Sequence, residues 1–310
     1  MQNFIFSANV VLPLLILMVL GYVARQNKML NSNTISSCNN FIFNIFLPCL
    51  IFNNIKKSNP ENYNDFGIFI FMFIIISVVF LIVSLIVVGI EKSNYNRSAM
   101  IQGMCRPNYA MFGLPLMMML YPDTDVSIAA LIAVVSIPMS NIIGVISLTV
   151  FGDKKASIKA VLFGIIKNPL IIASVAGLIC INIEFPKFIQ TTLNNVTVAA
   201  SPISLFILGA SLEFNEISKL LKQIFISVAG KLVLVPLIIV PVAIILGYRG
   251  VELATIMIVA ASPTATASYT MTEKMGGNAN LASSVIVITS ILAVITVFLQ
   301  IFILKSFSLL

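Results

Sequence analysis

Apolar residues come along this chain in long unbroken runs rather than in alternating or single-face stripes. Ten such runs predict ten helices, at 4–24, 34–55, 66–90, 98–120, 126–151, 160–182, 188–212, 221–246, 251–273 and 279–304. About 20 apolar residues suffice to cross a hydrocarbon core of about 30 Å, so each run predicts a membrane span. Polar or Pro/Gly-rich punctuation separates several of them. KKSNPENYND follows the second, YPDTD the fourth, GDKKAS the fifth and GYRG the eighth. The amino-terminal MQNFIFSANVVLPLL lacks a basic leader and a small-residue cleavage site, and is expected to be the first span rather than a signal peptide.

The runs repeat. PLLILMVLG (Pro13–Gly21) matches PLIIASVAG (Pro169–Gly177) at five of nine positions, at an offset of 156. Pro48 in FLPCLIF pairs with Pro202 in ASPISLF at an offset of 154, and Pro107 in CRPNYA pairs with Pro263 in ASPTAT at 156. Punctuating residues recurring in one order at one spacing predict two halves. The expected layout is an N-terminal five-helix repeat at 1–151, a cytoplasmic linker at 152–159 and a C-terminal five-helix repeat at 160–310, together forming one membrane domain. Five spans is an odd number, so the second half enters the membrane inverted. Inverted repeats are frequent in secondary transporters.

Two spans are interrupted, and they occupy corresponding places in the halves. The fourth, RSAMIQGMCRPNYAMFGLPLMMML, carries Pro107, and the ninth, VELATIMIVAASPTATASYTMTEKMGG, carries Pro263. Proline lacks an N–H and drives the residue before it out of the helical region. Paired broken helices point to a midplane site; the plainer reading is two ordinary proline kinks. At a break, the second half-helix starts with unpaired N–H groups and about half a positive charge, which suits an anion. Arg106 adds a full charge, and an arginine at membrane depth is a functional-site candidate unless it merely bonds the carbonyls of the broken turn. Asn108 beside it, and Thr264 and Thr266 opposite, offer polar groups. Asn141 in the fifth span and Asn44 in the second are further candidates, each equally readable as a helix–helix hydrogen bond. Lys231, about ten residues into the eighth span, reads best as a structural or snorkelling lysine.

Composition agrees and narrows the chemistry. Of 310 residues, 59% are hydrophobic and only 9% charged, with a mean hydropathy of +1.06. Soluble domains carry about 25% charged residues, so a soluble fold is excluded. The net charge of +7 does not point to nucleic acid, because the bases cluster in short loops. Eleven of the 18 Lys and Arg fall after the odd-numbered spans, from Arg25 to Lys274, and five on the other side. The positive-inside rule puts the first group in the cytoplasm and both termini outside. The 11 acids all fall in loops or near span ends, which disfavours a carboxylate-based proton or cation antiporter. With no His there is no HExxH metal site, nor is there a GxSxG nucleophile elbow. No enzyme, metal or cofactor is expected. The four Cys form no CxxC pair and read as small buried hydrophobes.

In order and spacing the motifs resemble the auxin efflux carrier family, which includes plant PIN-type carriers and bacterial malate/malonate permease-like members. The carrying segments are ANVVLPLLILMVLGY, FNIFLPCLIF and RPNYAMFGLP in the first half. In the second they are KNPLIIASVAGL, ASPISLFILGASL and ASPTATASYTMTEKMGGNANLASSVIVITS. The resemblance covers essentially the whole chain. It implies an all-α membrane fold of ten helices, with broken helices 4 and 9 crossing, a scaffold of helices 1, 2, 6 and 7, and a mobile transport domain from the rest. It also implies an anion site that uses Asn108 and Asn141. The short loop after the fifth span departs from plant members and suits a bacterial cytoplasmic membrane protein. The expected function is a carrier moving a small organic carboxylate by alternating access, with lipid and that anion as partners and a homo-oligomer compatible. A membrane receptor or sensor, or a channel, on the same fold is the alternative.

Overall fold

The computed structural model describes residues 2–57, 67–122, 124, 126–152, 166–181, 183–212 and 220–310. Among these there is no strand, and the regular structure forms twelve helices. They are α1 Gln2–Gln26, α2 Ser32–Lys56, α3 Gly67–Ile90, α4 Asn94–Cys105, α5 Tyr109–Leu120 and α6 Ser127–Phe151. The second half holds α7 Pro169–Ile179, α8 Lys187–Ala210, α9 Leu221–Ile245, α10 Gly250–Ala261, α11 Ala267–Met275 and α12 Ala279–Ser306. The predicted 152–159 linker lies almost wholly outside the described residues.

Seven of the twelve (α1, α2, α3, α6, α8, α9 and α12) are long and apolar enough to cross a membrane. The other three predicted spans differ. α5, α7 and α10 are apolar but shorter, because the fourth and ninth runs are each cut in two and the sixth is described only from residue 166. Short polar residues start several helices. Asn31, Asn168 and Asn278 accept from the backbone N–H groups of Thr34, Leu170 and Leu281 at 2.8, 2.9 and 3.0 Å, satisfying donors that a helix leaves orphaned. Gly276 ends α11 in the left-handed region at φ 77°, where a side chain would be strained.

The helices pack as two groups. α1 lies along α8, the second half of α2 lies along α7, and α2 also touches α8. In the second group α3, α4 and α6 pack together, α9 packs on α10 and α12, and α4 reaches α12 as α10 reaches α6. Contacts of α1 with α12 and of α7 with α6 join the groups. Close approach in the first group depends on glycine. A Cβ on Gly21 would overlap the Phe206 carbonyl of α8, and one on Gly209 would overlap the Met18 carbonyl of α1. A Cβ on Gly177 of α7 would lie 3.1 Å from the Phe52 carbonyl of α2. Outward faces are apolar, with Leu85, Val198, Phe225 and Ile245 among the most exposed side chains. Such a surface belongs in lipid rather than water. Beyond α3, Glu91 accepts from Ser93 N–H and from Gln223 Nε2 at the start of α9, both at 2.8 Å. Partial burial pushes its carboxyl up, but hydrogen bonds from Ser93, Gln223 and Asn96 outweigh that and hold it below the usual carboxylate range.

Candidate functional site

The two prolines break their helices as their chemistry requires. Arg106, before Pro107, is extended at φ −103°, ψ 100°, and Ser262, before Pro263, sits at φ −56°, ψ 141°. A break frees backbone groups that lipid cannot satisfy. Here the two breaks satisfy each other. Asn108 N–H donates to the Pro263 carbonyl at 2.7 Å and Ala265 N–H to the Arg106 carbonyl at 2.9 Å, so Pro107 and Thr264 form an isolated antiparallel bridge. Thr264 N–H donates to Thr289 Oγ1 of α12 at 3.1 Å, and its hydroxyl donates to the Gly103 carbonyl at 2.6 Å.

That pairing changes the sequence-based picture of the site. Three backbone N–H groups at the breaks, those of Asn108, Thr264 and Ala265, are taken up in the crossing. The Thr264 hydroxyl proton is also committed, so this side chain holds the breaks together and has no donor left for a carboxylate. Thr266 is half-buried and lines a cavity beside the crossing.

Arg106 and Asn108 are both buried. Arg106 Nη1 donates to Gln102 Oε1 (2.9 Å) and Ser268 Oγ (3.3 Å), and Nη2 to Asn141 Oδ1 (3.1 Å). Gln102 Nε2 in turn donates to Thr272 Oγ1 at 3.1 Å. The guanidinium lies against Gly144 of α6, where an added Cβ would be 3.2 Å from Arg106 Cζ. Every partner is a neutral dipole, and Arg106 Nε and Asn108 Nδ2 have no partner among the described residues. A buried charge without a counter-charge costs several kcal/mol even after relaxation. Two buried donors, two residues apart in the chain and one of them cationic, are thus left without acceptors.

The structure thus brings Arg106, Asn108, Asn141 and Thr264 together around the crossing. Asn44 does not join them: it is exposed, and its amide donates to the Asn40 carbonyl of its own helix at 2.7 Å. Lys231 does not snorkel. It is 1% exposed, and its ammonium donates to the Ala260 carbonyl at 3.1 Å. Gln102, Ser268 and Gly144 went unread in the sequence. Gln102 stands four residues before Arg106, a spacing that puts both on one helix face, and this is the signal that marks it.

A cavity of about 570 Å³ runs between the two helix groups. Exposed Ser32, Ser36, Asn40 and Asn280 line it, and so do Met111, Thr266 and Ala267 beside the breaks. Arg25 also lines it, donating to the Ala210 carbonyl at 3.0 Å and to Ser32 Oγ at 3.4 Å.

Apolar helices in two groups, one of which holds a pair of crossed broken helices and a buried cation, fit a multi-pass membrane protein of the transport class. The chain belongs to the membrane transport protein family, whose model matches residues 6–161 and 153–301; this is the auxin efflux carrier family that the motifs resemble. It is similar to a Rhizobium meliloti (strain 1021) protein named "Putative malonate transporter", 25% identical over 308 residues, which cover 96% of each chain. It is also similar to the "Uncharacterized transporter YfdV" of Escherichia coli (strain K12), 23% identical over 298 residues, covering 91% of this chain and 94% of that one.

Proposed function

We propose that this protein is a secondary carrier that moves a small organic carboxylate across the membrane by alternating access. The observation that carries the reading is the Arg106–Asn108 pair: a buried guanidinium and a buried amide, each with an unpaired donor, and no carboxylate bonded to the guanidinium. Arg106 supplies charge, Asn108 an amide donor, and Asn141 fixes the guanidinium and has its own N–H groups for the ligand. Thr266 offers a hydroxyl from the cavity wall, and Thr264 positions the breaks. A malonate-like dicarboxylate is the first substrate to try, on the strength of the named Rhizobium relative.

We read the architecture behind it as ten spans in two inverted five-helix repeats, with α4–α5 and α10–α11 as the broken fourth and ninth. Mirrored packing supports this. The α1–α8 contact has its counterpart in α7–α2, α3–α4 in α9–α10, α4–α12 in α10–α6, and α1–α12 in α7–α6. Gly21 and Gly177, equivalent by the sequence repeat, each take the close approach to the opposite half's partner helix. In this reading α1, α2, α7 and α8 are the scaffold, and the remaining helices carry the site past it.

Purified protein in liposomes, preloaded with unlabelled malonate, tests the function by exchange against labelled malonate and a panel of mono- and dicarboxylates. Exchange above empty liposomes for at least one carboxylate is expected, lost in Arg106→Ala. Conductive flux without exchange would establish a channel instead, and ligand binding without flux a receptor.

A further inference from the structure

Lys231 is a second buried cation, bonded apart from the Arg106 cluster. It lies in α9, where Gly230–Leu234 form a π-helical turn, an irregularity that recurs at functional sites. Gly230 packs on Met104 of α4. Lys231 thereby sits behind the crossing, and its one acceptor is the Ala260 carbonyl in the last turn of α10, just before the Pro263 break. An ammonium has three donors, so two lack an acceptor among the described residues. The neutral amine would keep the Ala260 bond, leave fewer donors unmade and gain a lone pair. Lysine, unlike arginine, is able to lose its proton.

Among the described residues, no acid is hydrogen-bonded to Lys231. The π turn packs on α4, α10 and α12, and the rest of α9 also reaches α3. On these helices the titratable groups are Tyr95, Arg97 and Cys105 of α4, Glu252 of α10, Lys305 of α12 and Lys222 of α9 itself, while α3 has none. Arg106 follows directly on α4. Of them all, Cys105 alone interacts electrostatically with Lys231. One helical turn toward the start of α9, the Ser227 hydroxyl is fully buried and without a hydrogen-bond partner among the described residues.

We propose that Lys231 is the proton-coupling site of the carrier, so that transport is proton–carboxylate symport without an acidic residue in the membrane core. This rests on the transport reading above. The ammonium neutralises the negative, carbonyl end of α10 and steadies the break that forms the anion site. When Lys231–NH3+ gives its proton to water on one side, the neutral amine stays, the break loses that support, and the anion is held less tightly. Loaded carrier crosses with the proton on, and empty carrier returns with it off. By linkage, anion binding must then draw a proton in.

The test uses the same liposomes, with membrane potential clamped near zero. Wild-type protein should accumulate malonate toward the alkaline side, up to about tenfold for a gradient of one pH unit if one proton moves per anion. Lys231→Arg, whose charge does not leave, should keep exchange and lose this accumulation. Lys231→Met should lose it too, with weaker affinity. In weakly buffered detergent solution, malonate should draw up to one proton per wild-type molecule, and none in Lys231→Arg. Accumulation that persists in a variant overturns the proposal. So does absence of proton uptake in wild type, a measurement independent of whether either variant folds. Loss of exchange in the wild type itself would instead sink the transport reading.

Discussion

Arg106 is costly where it stands. Three neutral dipoles receive its N–H groups, and no formal charge balances it. Charge-assisted hydrogen bonds contribute about 1.5–3 kcal/mol each. Arg106→Ala should therefore weaken carboxylate affinity by roughly tenfold to a hundredfold, measured by ligand-induced thermal shift or equilibrium binding. Arg106→Lys keeps the charge but loses the planar fork that reaches Gln102, Ser268 and Asn141 together, so it should recover only part. Asn108→Ala removes a neutral donor and should cost about threefold to tenfold. Unchanged affinity in a folded Arg106→Ala protein would make Arg106 structural. This residue was legible in the sequence because an arginine beside a proline in an apolar run has few innocent explanations. Gln102 and Ser268 were not, since a glutamine or serine within a helix is ordinary until its partner is seen. The spending of Thr264 on the Gly103 carbonyl was equally hidden, because it depends on how two segments about 160 positions apart cross.

Elements were legible where one physical cause dominates. Long apolar runs gave α1, α3, α6, α8 and α12 to within a few residues, and the two prolines gave the breaks. What pattern alone misses is the form a departure takes: the π turns at Ile42–Phe46 and Gly230–Leu234 each end two residues before a proline, Pro48 and Pro236, yet neither breaks its helix as Pro107 and Pro263 do. The repeat carried more than punctuation, because Gly21 and Gly209 let α1 and α8 meet backbone to backbone. Small residues at such crossings substitute for the hydrophobic driving force that lipid removes. Gly21→Val should force these helices apart, at a cost of about 1–3 kcal/mol, seen as a lower melting temperature in detergent. Gly89, with nothing within reach of an added Cβ, is the control, and Gly89→Ala should melt as wild type does. Equal melting of the Gly21 and Gly89 variants would mean that α1 and α8 do not pack this closely.

At the scale of the molecule, the cavity between the helix groups and the distribution of charge make one joint statement about direction. Arg25, Ser32 and Asn280 line the cavity, and Arg25 belongs to the set of loops and helix ends richest in Lys and Arg. If that side is cytoplasmic, the cavity that Arg25 and Thr266 both line should be reached from the cytoplasm. Single cysteines decide this, in a background with Cys38, Cys49, Cys105 and Cys180 replaced. A membrane-impermeant thiol reagent should modify Lys155→Cys in inside-out vesicles and leave it untouched in intact cells. Ser283→Cys, on the cavity wall, should react from the same side, and on the alternating-access reading proposed above saturating carboxylate should slow that reaction several-fold. Labelling of position 155 from outside intact cells would reverse the orientation. Reaction at 283 that ignores substrate would show that this cavity is not the route to the site.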